Sequence, residues 1–239
     1  MEGMQVRSLL DELHAAESRF HGRSPDEEVS WRLNDEALDL LVDLVSEGDR
    51  TLETGVGYST VVFAARGAQH TVVSPFAIEH ERVKAWCADH GVDLSTVEFV
   101  AVTSQLALPA LASDALDVVL IDGDHAFPTP FIDFFYAAGR LVPGGLLVVD
   151  DTNVRSCRVL ADFLHTEASR WRLHTELWST TVFERLDGPL LPPGGWGAQP
   201  WSATPLRDST PLSLQQWLRA RLRIRTRLRA RRERVRGAT

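Results

Sequence analysis

Apolar positions recur along this chain in two rhythms, one helical and one extended, and the order in which they alternate predicts the architecture. Leu9, Leu10 and Leu13 with Ala16 fall at helical spacing between Val6 and Phe20, and Leu38, Leu40, Leu41, Leu44 and Val45 do so after the helix start Asn34-Asp35-Glu36. Ser24-Pro25-Asp26-Glu27 carries a cap, a proline at the first position and early acids, so two or three helices are expected before Gly48. Downstream, β-rich runs at His70–Ser74, Val97–Val102, Leu116–Asp122 and Leu146–Val149 alternate with helical stretches at Glu79–His90, Phe131–Leu141 and Val154–Ser169. Pro143-Gly144-Gly145 predicts a turn between the Phe131–Leu141 helix and the Leu146–Val149 strand. Repeated strand-helix units with nearly continuous Val/Leu strands imply a parallel sheet covered by helices on both faces. The runs Trp171–Leu177 and Thr180–Leu186 are too close together for a crossover, so they form an antiparallel pair.

At 239 residues the chain suits one substantial α/β domain with appendages. The expected division is helices capping the core at 1–48, the ligand-binding domain at 49–187, a Pro/Gly-rich linker at 188–211 and an Arg-rich tail at 212–239. The net charge of −8 is uneven: residues 219–239 hold ten arginines and one glutamate, making that stretch +9 and the remainder −17. An acidic body argues against nucleic-acid binding by the domain, whereas the tail is suited to an anionic partner. Arg alternates with Leu, Ile or Ala from Arg219 to Arg231, which builds no apolar helical stripe and points to a solvated helix or disordered tail. Two cysteines, Cys87 and Cys157, make no disulfide framework and suit a reducing compartment. With no leader pattern at Met1–Gln5 and no apolar run of roughly 20 residues, a soluble cytoplasmic protein is expected. A homodimer is compatible with these features and is not specified by them.

The chemistry gathers at predicted strand ends, the edge where open α/β sheets bind ligands. From Arg50 to Thr60 a short strand ends in Glu53, Gly55 and Gly57 follow one residue apart, and Ser59 or Thr60 is placed to cap the next helix. Such a turn also serves α/β proteins that merely turn tightly. Asp122-Gly123-Asp124-His125 ends the strand before Phe131, and Asp150-Asp151-Thr152-Asn153 ends the one after it. A nicotinamide-binding sheet would need Gly-x-Gly-x-x-Gly and an acid after the second strand, and the chain supplies neither.

Three ordered stretches, Leu52-Glu53-Thr54-Gly55-Val56-Gly57-Tyr58-Ser59-Thr60, Val119-Leu120-Ile121-Asp122-Gly123-Asp124-His125 and Leu141 through Asp151, together resemble the class I S-adenosylmethionine-dependent methyltransferases, nearest the small-molecule and sugar O-methyltransferases. The resemblance spans roughly residues 34 to 186 on motif grounds. It implies a Rossmann-like sheet of seven strands, mostly parallel, with S-adenosylmethionine held by Glu53, Gly55, Gly57, Ser59, Ser74, Ser104 and Asp122. Family members usually end the second strand in an acid that holds the ribose hydroxyls. Here Ser74-Pro75 stands in that place, which leaves the ribose to Ser74 with help from Glu79, or to backbone. The adenine would lie near Thr103-Ser104-Gln105.

For the acceptor, the resemblance implies a small hydroxylated molecule, with His125 as general base because imidazole titrates near neutrality. Two readings of the acids stay open. Asp122, Asp150 and Asp151 hold a divalent metal, Mg²⁺ by their all-oxygen character, or Asp122 faces the cofactor, Asp150 caps a strand and Asp151 begins a helix. Phe127 and Tyr136 are candidate acceptor contacts, whereas Phe131, Phe134 and Phe135 read as core. Asn153 and Arg155 contact the acceptor or a metal-bound water, or serve as a cap and a surface charge. Trp31 and His21 read as core or cap packing, with a substrate lid as the alternative. Two other functions remain open: a metal-independent N-methyltransferase, and a non-catalytic protein of this fold whose arginine tail binds a polyanion.

Overall fold

The computed structural model describes residues 3–15, 19–112, 114–190 and 194–203. Contacts divide the chain into a compact unit over Met1–Trp201 and a second over Ser202–Thr239, and the description below concerns the first. The arginine tail expected at 212–239 lies outside the described residues. No helix among the described residues is long and apolar enough to cross a membrane.

Two helices, α1 (Gly3–Ala15) and α2 (Asp35–Leu44), precede seven strands: β1 (Arg50–Thr54), β2 (Gln69–Val73), β3 (Val97–Val100), β4 (Leu116–Ile121), β5 (Leu141–Val149), β6 (Trp171–Glu176) and β7 (Thr181–Arg185). Between them lie α3 (Tyr58–Ala65), α4 (Ala77–Asp89), α5 (Ser104–Ala107), α6 (Thr129–Ala138) and α7 (Arg155–Thr166). The strands form one sheet in the order β3-β2-β1-β4-β5-β7-β6. All neighbours run parallel as far as β5, and β7 is antiparallel to both β5 and β6. Both the parallel body and the antiparallel ending agree with the hydrophobic pattern. The order reverses direction between β1 and β4, and such a switch opens a crevice at the carboxyl ends of the strands.

Each face of the sheet carries its own apolar layer. Leu13, Leu38, Leu41 and Phe63 belong to the layer built with α1 to α4, and Leu141, Leu147, Leu160 and Phe183 to the layer on the other side, with α6 and α7. At roughly 25 cal/mol per Å² of apolar surface removed from water, full burial of each such side chain contributes about 1.5–3 kcal/mol.

Three expectations change. Ser24-Pro25-Asp26-Glu27 starts no helix: the segment closes as a turn, with Glu27 N–H donating to the Ser24 carbonyl at 3.2 Å. His21 and Val29 exchange backbone bonds at 3.1 and 2.9 Å across it, and the Arg82 guanidinium takes the carbonyls of His21, Ser24 and Glu27 at 2.9, 3.0 and 2.9 Å. Carbonyls that a helix would have bonded four residues onward are spent on one side chain from α4. Pro143-Gly144-Gly145 makes no separate turn but lies inside β5, where the pairing with β4 shifts register between Leu116 and Val118 and Gly144 takes φ 84°. Phe135 is 60% exposed, because α6 turns Pro130, Asp133, Phe134, Ala137 and Ala138 inward and leaves that position on the outer flank.

Candidate active site

The turn after β1 is built on the two glycines. Gly55 has φ 103°, and a Cβ there would stand 2.4 Å from the Asp122 carbonyl, so only glycine lets the end of β1 pass the end of β4 this closely. Gly57 N–H donates to Thr60 Oγ1 at 2.9 Å, so Thr60, rather than the buried Ser59, makes the side-chain bond at the start of α3. The Thr60 hydroxyl in turn donates to Glu53 Oε1, which also receives His70 Nε2 at 3.1 Å. Glu53 Oε2 is buried with no hydrogen-bond partner among the described residues. One carboxylate oxygen is thus tied to the scaffold, and the other is left unpaired at the end of β1, where burial makes a missing partner costly. Sequence reasoning missed His70, which stacks on Phe63 with ring centroids 4.3 Å apart and reaches Glu53 across the β1–β2 pairing.

The second strand delivers Ser74 without an acid, yet a carboxylate arrives from α4. Glu79 is buried; Ser74 Oγ donates to its Oε2 at 3.2 Å and Gly22 N–H to its Oε1 at 3.0 Å. This draws the strap from Phe20 to Trp31 over the glycine turn. His21 Nε2 lies 2.8 Å from the Val56 carbonyl while Trp31 N–H donates to Nδ1 at 3.0 Å, an arrangement that fixes a neutral ring with its proton on Nε2. Burial depresses the His21 pKa, in keeping with that neutral state. The imidazole stands against Gly57, whose added Cβ would come within 3.2 Å of Nε2. His21 is therefore packing, as the sequence suggests, but its packing closes the turn; Trp31, 61% exposed, is no core residue.

Ser104 lies buried at the start of α5, beyond β3. Asp133 of α6 is buried nearby, its carboxyl pushed up by burial, and neither of its oxygens has a hydrogen-bond partner among the described residues. Asp133 carried no sequence signal, because an acid inside an apolar helix stretch reads as surface until the helix is docked.

At the ends of β4 and β5 the acids and the histidine meet. His125 Nε2 is 2.8 Å from Asp151 Oδ2, and Nδ1 faces the Cys157 sulfur at 3.5 Å. Ser156 Oγ donates to the His125 carbonyl, so the start of α7 holds both backbone and ring. Asp151 adopts φ 50°, a left-handed conformation uncommon outside glycine. The Asp151 hydrogen bond, then the contact with Cys157, pushes His125 up to about 10, and His125 holds the Asp151 carboxyl below its usual range. At neutral pH the pair is an imidazolium and a carboxylate. An unperturbed imidazole base is thus not what stands here. Asp150 is buried and accepts from the Thr180 hydroxyl; burial raises its carboxyl. Burial and then Asp150 push Asp122 well above the ordinary range.

The metal reading requires Asp122, Asp150 and Asp151 to converge. Among the described residues no three His, Cys, Asp or Glu side chains come together as ligands for an ion. Asp151 is committed to His125 and Asp150 to Thr180. Asn153 and Arg155 are exposed, as is Phe127 at 78%. Asp150 and Asp151 instead line a cavity of about 520 Å³ together with Trp31, Arg32, Trp178 and Ser179.

With this geometry in view, residues 52–152 match the family described as a methyltransferase domain. No curated protein matches the chain by sequence. Among solved structures, a protein provisionally described as a caffeoyl-CoA O-methyltransferase from Staphylococcus aureus superposes with a TM-score of 0.57 at 14% identity, over 75% of this chain and 91% of its own. A cofactor-bound protein of Mycobacterium tuberculosis gives 0.57 at 17%, over 77% and 91%. An rRNA methylase from Streptococcus thermophilus gives 0.52 at 12%, over 66% and 100%. At these identities the likeness is one of fold.

Proposed function

We propose, from the premise that this chain is a class I S-adenosylmethionine-dependent methyltransferase, that it methylates a hydroxyl oxygen of a small acceptor bound beside Asp151. The observation that carries the reading is the 2.8 Å pair of His125 and Asp151 at the edge of the 520 Å³ cavity.

The residues at the strand ends fit the cofactor. Gly57 brings backbone to the crevice with no side chain of its own, Glu53 keeps an unpaired buried oxygen suited to an ammonium group, and Glu79 with Ser74 offers hydroxyl-binding oxygens where the usual acid is missing. When bound, S-adenosylmethionine supplies an electrophilic methyl group on a sulfonium and needs no acid, since a neutral thioether departs. The chain's own work is to hold the acceptor in line and remove its proton.

Asp151 faces the cavity and His125 stands behind it. The proton of an acceptor hydroxyl enters through the Asp151 carboxylate and comes to rest on the imidazole, leaving an imidazolium–carboxylate pair once the oxygen has taken the methyl group. The competent form is therefore neutral imidazole beside carboxylate, which fills as pH rises toward about 10. This route calls on no Mg²⁺, because the acids that would bind it are already engaged. A small acceptor also suits the acidic body better than RNA does.

Release of S-adenosylhomocysteine across a panel of hydroxylated compounds tests the reading. At least one compound should accept a methyl group on oxygen, and His125→Asn should lower kcat by about 100-fold. Methylation exclusively on nitrogen, or full turnover by His125→Asn, would overturn it.

A further inference from the structure

Two segments of this acidic chain present no charged side chain to solvent. From Phe99 to Ala112 there is no Asp, Glu, Lys or Arg, and from Ala126 to Gly139 there is only Asp133, which α6 turns inward. The fold lays them side by side: the first contains α5 and the second α6, and Gln105 Nε2 donates to Thr129 Oγ1 at 3.2 Å where they meet. Charges return only just beyond their ends, at Glu98 and Asp114 for the first and at Asp124, His125 and Arg140 for the second. The longer helices elsewhere keep solvated, ion-paired faces. Arg7 of α1 pairs with Asp39 and Asp43 of α2, Glu81 with Lys84 on α4, and Arg158 with Asp162 on α7.

What α5 and α6 show to water is apolar. Leu106 is 71% exposed, Phe127 78% and Phe135 60%, and Val102 and Tyr136 are exposed as well. The strip is continuous along α6: the rings of Phe127 and Phe131 meet at 5.8 Å and those of Phe135 and Tyr136 at 5.1 Å, with Phe131 and Phe135 one helical turn apart. A helix apolar on its outer face as well as its inner one belongs in an interior, and a monomer rarely leaves such a patch to water. Taking about 200 Å² for a fully exposed residue of this size, the exposed fractions of Val102, Leu106, Phe127, Phe135 and Tyr136 amount to roughly 600 Å². Two such faces in contact would remove up to about 1,200 Å², the low end of the range for specific interfaces.

We infer that the α5–α6 face is the interface of a twofold homodimer, with α6 of one protomer packed on α6 of its partner. The charges select this occupant. An acidic partner finds no cation on the face and a basic one no acid, and a helix resting on an anionic membrane would carry the Lys or Arg that α6 lacks. A second copy needs only an uncharged, self-complementary patch, which a twofold axis sets against itself. Meeting there also brings together the part of an acidic body that repels its copy least. The inference is independent of the proposed O-methylation.

The test is sedimentation velocity on the full chain at about 50 µM, at low ionic strength and in about 0.5 M NaCl. The wild type should run as a dimer in both, with a Kd at or below about 10 µM. Leu106→Glu with Phe135→Glu should raise that Kd by at least about 100-fold and give a monomer whose far-UV circular dichroism is unchanged, because both positions are exposed. Phe135→Ser, a milder change, should weaken the dimer in the same direction. A monomeric wild type, or a dimer kept by the folded double variant, would overturn the inference. So would a dimer that dissolves in the higher salt, the behaviour of association through the arginines of 219–239.

Discussion

His125 and Asp151 form an ion pair at 2.8 Å although the two residues come from the ends of different strands, one beyond β4 and the other beyond β5. Because the partner raises His125 to about 10, the rate of methyl transfer should climb with pH above neutrality, reach half its maximum near 10 and level off beyond it. Asp151→Asn removes the hydrogen-bonded carboxylate that holds the proton on His125 and should move the midpoint of the kcat profile toward the ordinary 6.5. The sign for stability is opposite: the contribution of His125 is fully present below about 6.5 and fades as pH passes about 10. A wild-type profile with its midpoint already near 6.5 would contradict the assignment.

Removal of divalent ions should leave the reaction intact. Asp150 and Asp151 are committed to Thr180 and His125, so excess EDTA is expected to change kcat by less than the scatter of the assay. Loss of turnover that added Mg²⁺ restores would restore the metal reading.

Gly55→Ala should destabilise the fold strongly. The new Cβ meets the Asp122 carbonyl at 2.4 Å and the residue must hold φ 103°, so a cost of about 2–4 kcal/mol is expected in urea unfolding. A loss below about 0.5 kcal/mol would show that the β1 and β4 ends have room to separate.

Arg82→Ala frees the carbonyls of His21, Ser24 and Glu27 and should loosen the strap that seats His21 on the glycine turn. Affinity for S-adenosylhomocysteine, measured by calorimetry, is expected to fall by about tenfold, or about 1.4 kcal/mol. Tighter binding in the variant would mean that the strap obstructs the crevice and does not wall it.

The strands were readable because Leu116–Ile121 and Leu146–Val149 are buried on both faces and admit almost only Val, Leu and Ile. From that period alone the acids at strand ends could be placed on one edge of the sheet. What could not be read were partnerships across the chain. Asp151 and Cys157 lie 26 and 32 positions beyond His125, and their effect is to turn an expected near-neutral base into a group that titrates near 10. The Ser24-Pro25 helix start failed for a similar reason. Local propensity favoured it, but Arg82, 58 residues further on, claims the Ser24 carbonyl. Trp31 gave the opposite error: a tryptophan is a good bet for the interior, and this one stands open at a cavity wall.

Everything proposed for the strand ends depends on the cofactor binding there, and thermal unfolding with saturating S-adenosylhomocysteine measures this most directly. At 100 times its dissociation constant the ligand should add about 2.7 kcal/mol and raise Tm by roughly 5–10 °C for a chain of this size, with Gly57→Leu abolishing the rise. An unchanged Tm at millimolar ligand, or a full shift retained by Gly57→Leu, would contradict the account.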